Sequence, residues 1–144
     1  GTQPESTPKT GGGGSVSAAT GSVDGFIATA MAQQGKPYIT ADEGPDSFDC
    51  SGLVYYCLSN NGVKVGRMSA KSYAVIDSRE IDRAHMKPGD LLFFWNSGRT
   101  RIYHTGIWLG GGKYIHASSS AGQVVVSGWG DWAKNSFSHG KRVY

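Results

Sequence analysis

The stretch "FDCSGLVYYCLSNNG", residues 48–62, carries both cysteines of the chain, and its reading governs everything around it. Leu53, Val54, Cys57 and Leu58 recur at helical spacing, and "NNG" at 60–62 supplies a stop, with Gly62 suited to a left-handed C-terminal cap. Seven residues of helix span about 10.5 Å, whereas the α-carbons of a disulfide lie within roughly 7 Å. Cys50 and Cys57 are therefore not expected to pair. Their spacing is also too long for a zinc knuckle, and there is no second cysteine pair to complete one. Cys57 falls on the apolar face and reads as a small core residue. Cys50 opens the helix and does not.

A cysteine at a helix start faces unsatisfied backbone N–H groups and the positive end of the macrodipole, both of which favour thiolate. Gly52, in the first turn, is expected to leave open space beside the sulfur, so that a substrate carbonyl can approach those N–H groups. A nucleophile of this kind needs a base and a third group to fix the base's tautomer. Of the four histidines, His85 and His139 sit in polar, irregular stretches and read as solvated. His104 and His116 lie in two β-type runs joined by "LGGGK". If Gly110, Gly111 and Gly112 form a three-residue loop, Leu109 faces Lys113, His104 opposes Ser118 and His116 opposes Gly106. Both imidazoles then point to one face as diagonal neighbours, with Gly106 leaving room between them. A two-residue loop would put them on opposite faces. Cys50, His104 and His116 are also the residue types of a catalytic zinc site. The chain has no HExxH, HxE or CxxC spacing, however, and no metal is expected.

Outward from this centre, Val23, Phe26, Ile27, Ala30 and Met31 mark an amphipathic helix that Ser22 can cap and that Gly35 and Pro37 end. "KPYITADEGPDS" reads as a loop, and "GRMSAKSYAVID" as a shorter helix capped by Ser69. After the turn at "KPGD" the texture changes. "LLFFW" (91–95), "RIYHTGIWLG" (101–110), "KYIHAS" (113–118) and "QVVVSGW" (123–129) are strands divided by Gly- and Ser-rich turns. Helices first and strands later predict an α+β domain with an antiparallel sheet. Residues 1–21 hold almost no large apolar residue and read as a flexible Gly/Ser/Thr/Pro linker, leaving a catalytic domain over 22–144. The net charge of +3, without a basic stripe, does not argue for nucleic acid. No run approaches the length of a transmembrane helix, so no membrane insertion is expected. A linker at this end suggests an upstream domain, and a monomer is the default.

"GKPY", "FDCSGLV", "KPGDLLFF" and "HTGIWLGGGKYIHAS" resemble, in order and spacing, the NlpC and p-sixty (NlpC/P60) family of bacterial cell-wall cysteine peptidases over about residues 22–144. The resemblance implies a papain-like core in which a helix bearing the cysteine packs against an antiparallel sheet bearing the histidines. It also implies hydrolysis of peptidoglycan stem peptides, most often at the γ-D-glutamyl to diamino acid bond, outside the cell or at the wall and without a cofactor. Carried over by position, Cys50 is the nucleophile, His104 the general base and later acid, and His116 the orienting third member. Tyr38 stands near the reacting carbonyl, and Asp49 and Ser51 hold the substrate's free amine. The alternative reading for Asp49 is a helix cap and for Ser51 a first-turn polar residue. After "PY" the family usually carries "WGG", where this chain has "ITADEG"; Asp42 and Glu43 in that loop read as solvated. The rival readings are a cysteine amidase or acyltransferase on the same core, and a catalytically silent wall-binding module.

Overall fold

The computed structural model describes residues 21–144, so the linker expected over 1–21 lies outside the described residues except for Gly21. Helix α1 (Val23–Met31) begins where Ser22 Oγ accepts from the Gly25 N–H at 3.1 Å, and it buries Phe26 and Ala30. Helix α2 (Cys50–Ser59) begins where Asp49 Oδ1 accepts from the Gly52 N–H at 2.6 Å. It ends as expected. Gly62 takes φ +84°, and the Val63 N–H returns to the Leu58 carbonyl at 3.1 Å. Ser69 caps the one-turn helix α3 (Ala70–Tyr73) through the Ser72 N–H.

Six strands follow: β1 (Arg79–Ile81), β2 (Leu91–Trp95), β3 (Ile102–Gly110), β4 (Lys113–Ser118), β5 (Gln123–Gly128) and β6 (Phe137–Arg142), with helix α4 (Asp131–Ser136) before the last. They form one sheet in the order β1-β6-β2-β3-β4-β5, with every pairing antiparallel. The four expected strands are present nearly to the residue. β1, α4 and β6 were not anticipated, because "REI" and "FSHGKR" lack an apolar alternation. β6 is a strand because it fills the slot between β1 and β2, where its backbone groups are paired on both sides.

Alternation divides the sheet's side chains between two faces. Leu91, Phe93, Ile107, Ile115, Ala117 and Val124 pack with Phe26, Leu53, Val54, Cys57 and Leu58 of the helices into the main core. Leu92, Phe94, Trp108 and Tyr114 form a second cluster with Ala133 of α4. Cys57 is fully buried in the first cluster, as its place on the apolar face predicts.

Candidate active site

The β3–β4 hairpin reaches the expected register by a different route. Gly111 and Gly112 form a two-residue turn, both with positive φ (+62° and +76°), and a bulge compensates for the shorter loop. Trp108 faces Tyr114 while Gly110 faces Lys113, so the expected Leu109–Lys113 pair does not form. One extra residue in the strand restores the parity that a third loop residue would have supplied. His104 and His116 therefore share a face after all. The recorded β3–β4 register runs from Ile107–Ile115 to the turn, so both histidines lie on the strand segments beyond it. There His104 Nε2 and His116 Nδ1 are hydrogen-bonded at 2.7 Å. Gly106 makes the approach possible. A β-carbon on it would lie 3.2 Å from that of His116 and 3.1 Å from the Ile115 carbonyl oxygen.

The relay continues one step further, since His116 Nε2 bonds Ser127 Oγ on β5 at 2.9 Å. Ser127 is two residues along β5 from Val125, the cross-strand partner of His116, and so shares its face. Sequence reasoning missed it, although the β4–β5 register points to it once the strands are aligned. Trp132 of α4 was also missed. Its ring meets that of His104 at 5.9 Å, edge to face, and leans on Phe94 at 4.9 Å. Burial holds both imidazoles neutral. The pKa of His104 is pushed down to about 3 by desolvation, with the neighbouring His116 adding to it, and that of His116 down to about 4 by desolvation.

Cys50 comes to this pair from the helical side. Its Sγ lies 3.9 Å from the Tyr103 carbonyl oxygen, one residue before His104, where a bulge shifts β3 against β2. The expected thiolate is not favoured in this resting arrangement. Desolvation raises the thiol pKa, and the charge of Asp49 raises it further. The Thr105 and Ser51 backbone groups and the Arg67 guanidinium pull it back only in part. The space beside the sulfur also differs from expectation. A β-carbon on Gly52 would overlap the Asp42 carbonyl oxygen, so Gly52 admits the 36–48 loop, not a substrate.

That loop is fastened to the start of α2. Asp49 N–H donates to the Asp42 carbonyl at 2.8 Å, and Ala41 N–H to Asp49 Oδ2 at 2.9 Å. Tyr38 is held by its N–H to the Gly122 carbonyl at 2.9 Å and by a bridge to Phe48. Desolvation, then the charges of Cys50 and Asp49, raise its pKa and keep the phenol a proton donor.

Arg67, which sequence reasoning did not single out, ties these parts together. Its guanidinium donates to Asp49 Oδ1 and Ser51 Oγ at 2.8 Å each, to Glu43 at 3.2 Å and to the Met68 carbonyl at 2.7 Å. Glu43 is therefore paired instead of solvated, and Asp42 accepts from Ser47. Asp49 is indeed a helix cap. Asp49 and Ser51, which the resemblance implies for an amine, are both partnered within the chain.

A sequence model described as the NlpC/P60 family matches residues 35–139. Murein DD-endopeptidase MepH of Escherichia coli K12 is 35% identical over 99 residues, covering 67% of this chain and 36% of that protein. Gamma-DL-glutamyl hydrolase of Bacillus subtilis 168 is 38% identical over 95 residues, covering 65% of this chain and 22% of that protein. The chain thus spans between about a fifth and about a third of these curated relatives. Among solved structures, the peptidoglycan hydrolase RipB of Mycobacterium tuberculosis superposes with a TM-score of 0.68 at 32% identity, covering 84% of this chain and 64% of that one. A cysteine at the start of α2 beside a histidine pair on neighbouring strands, in a chain with these relatives, belongs to the NlpC/P60 family.

Proposed function

We propose that the chain is a peptidoglycan stem-peptide endopeptidase acting by Cys-His-His nucleophilic catalysis. The observation that carries this reading is the 2.7 Å bond between His104 Nε2 and His116 Nδ1, next to a strand head whose backbone touches Cys50 Sγ. With Nε2 engaged, Nδ1 is the His104 nitrogen left for the thiol. His104 then carries its proton on Nε2 and donates to His116, and His116 carries its own on Nε2 and donates to Ser127.

As the thiol sulfur attacks the amide carbon, its proton passes to His104 Nδ1, which is neutral and can accept it. The Cys50 N–H and the Tyr38 hydroxyl stabilise the oxyanion. Collapse breaks the C–N bond, and His104 returns the proton to the leaving amine. A water then gives its proton to His104 as it attacks the thioester, and that proton goes back to the released sulfur. No cofactor is required by these steps. Arg67 balances the charge of Asp49 beside the thiol, and a substrate ammonium reaching Asp49 and Ser51 shares them with Arg67.

The names of the relatives point to two different bonds, one a D,D cross-link and one a γ-glutamyl linkage. Our reading is the γ-D-glutamyl to diamino acid bond, cut in the bacterial envelope or outside the cell by a monomer whose upstream domain supplies targeting. Incubation of the chain with defined muropeptides, read by mass spectrometry beside Cys50→Ala, tests it. Cleavage at that bond which vanishes in the variant supports the reading. Cleavage that survives in the variant refutes the nucleophile, and wall binding by the wild type without cleavage favours a silent module.

A further inference from the structure

A cleft of about 530 Å³ opens beside His104 and His116. Tyr103 and Trp132 wall it and remain 45% and 43% exposed, so both offer ring surface to whatever enters. Ser118, Ser119, Ser120 and Val125 are among its other lining residues, together with the histidine pair. Among the described residues, no acid, lysine or arginine lines it. The neighbouring hollow across Tyr103 differs, because Lys71 and Arg101 line that one. Cationic charge is thus present nearby but kept out of the histidine cleft.

The direction of the reaction says what enters this cleft. His104 must hand its proton to the departing amine, so the scissile nitrogen points at His104 and the leaving half of the substrate continues past it. In a stem peptide that half begins with the diamino residue. A free side-chain ammonium moved into this cleft would give up part of its water and meet no carboxylate among the described residues. An acylated side-chain amine is neutral, and its amide can bond serine hydroxyls and lie against the aromatic faces. The volume agrees, since pockets of about 300–1,000 Å³ take ligands much larger than one side chain.

We propose that this cleft selects stem peptides whose diamino residue carries an acylated side-chain amine, as in a cross-link, over those with a free ammonium. The inference rests on the hydrolase reading above.

The test compares two soluble stem peptides, alike except that the side-chain amine of the diamino residue is free in one and N-acylated in the other. The expected ratio of kcat/KM is at least about tenfold in favour of the acylated peptide. Calorimetric binding of the same two peptides to Cys50→Ala should show the same preference without any chemistry. Ser119→Asp, which adds a carboxylate at the cleft, should shrink or reverse the ratio. Equal rates and equal affinities, or a preference for the free amine, overturn the inference. If neither peptide is hydrolysed, the binding comparison still decides it, while the hydrolase reading fails separately.

Discussion

Replacing Gly52 by alanine reverses the usual expectation for a helix. In an ordinary exposed helix the change stabilises by about 1 kcal/mol. Here the new methyl group would overlap the Asp42 carbonyl oxygen and stand 2.8 Å from Asp49 Oδ1. Carbon–oxygen contacts settle near ~3.3 Å, so the 36–48 loop must retreat by about 1 Å or more. That retreat costs the 2.8 Å bond from Asp49 N–H to Asp42, about 1 kcal/mol net, and overpacking adds about 1–3 kcal/mol. With the helix gain subtracted, Gly52→Ala should destabilise by about 1–3 kcal/mol in urea unfolding at constant m. The same displacement moves Tyr38 and the start of α2 beside Cys50, so kcat on a stem peptide should fall by about a hundredfold. A variant more stable than the wild type, with kcat unchanged, would refute the claim that the loop closes on Gly52.

Arg67→Ala leaves Glu43 and Asp49 without their shared cation, and all three groups are mostly buried, so a loss of about 2–3 kcal/mol is expected in the same assay. Arg67→Lys should recover only part of it, because one ammonium cannot reproduce the fork. His116→Ala should lower kcat by about 10²–10⁴-fold through the lost orientation of His104, and a value within about threefold of wild type would exclude the relay. The raised pKa of Cys50 means that less thiolate is present at pH 7 than for a free thiol. Iodoacetamide alkylation of Cys50 should therefore be slow at pH 7 and keep rising past pH 9; a plateau already reached by pH 7 would show a resting thiolate.

Much of this molecule was legible in its letters because the signals are local. The 3.6-residue pattern from Val23 to Met31, the Ser22, Asp49 and Ser69 caps and the left-handed Gly62 are short-range effects, and each appears in the structure. The apolar runs at 91–95, 102–110, 113–118 and 123–128 are likewise strands. Helical spacing alone separated Cys50 from Cys57, but strand parity left the faces of His104 and His116 to the loop, and a bulge beside a two-residue turn put them on one face. β6 could not be read this way, because its stability comes from neighbours remote in sequence. The same is true of Arg67, Ser127 and Trp132, which matter through what they touch across 11 to 28 residues of chain. The pKa of Cys50 belongs to this second kind. A helix start favours thiolate wherever it occurs, but how much water the sulfur keeps depends on the strand and loop that cover it, and those come together only in the folded chain.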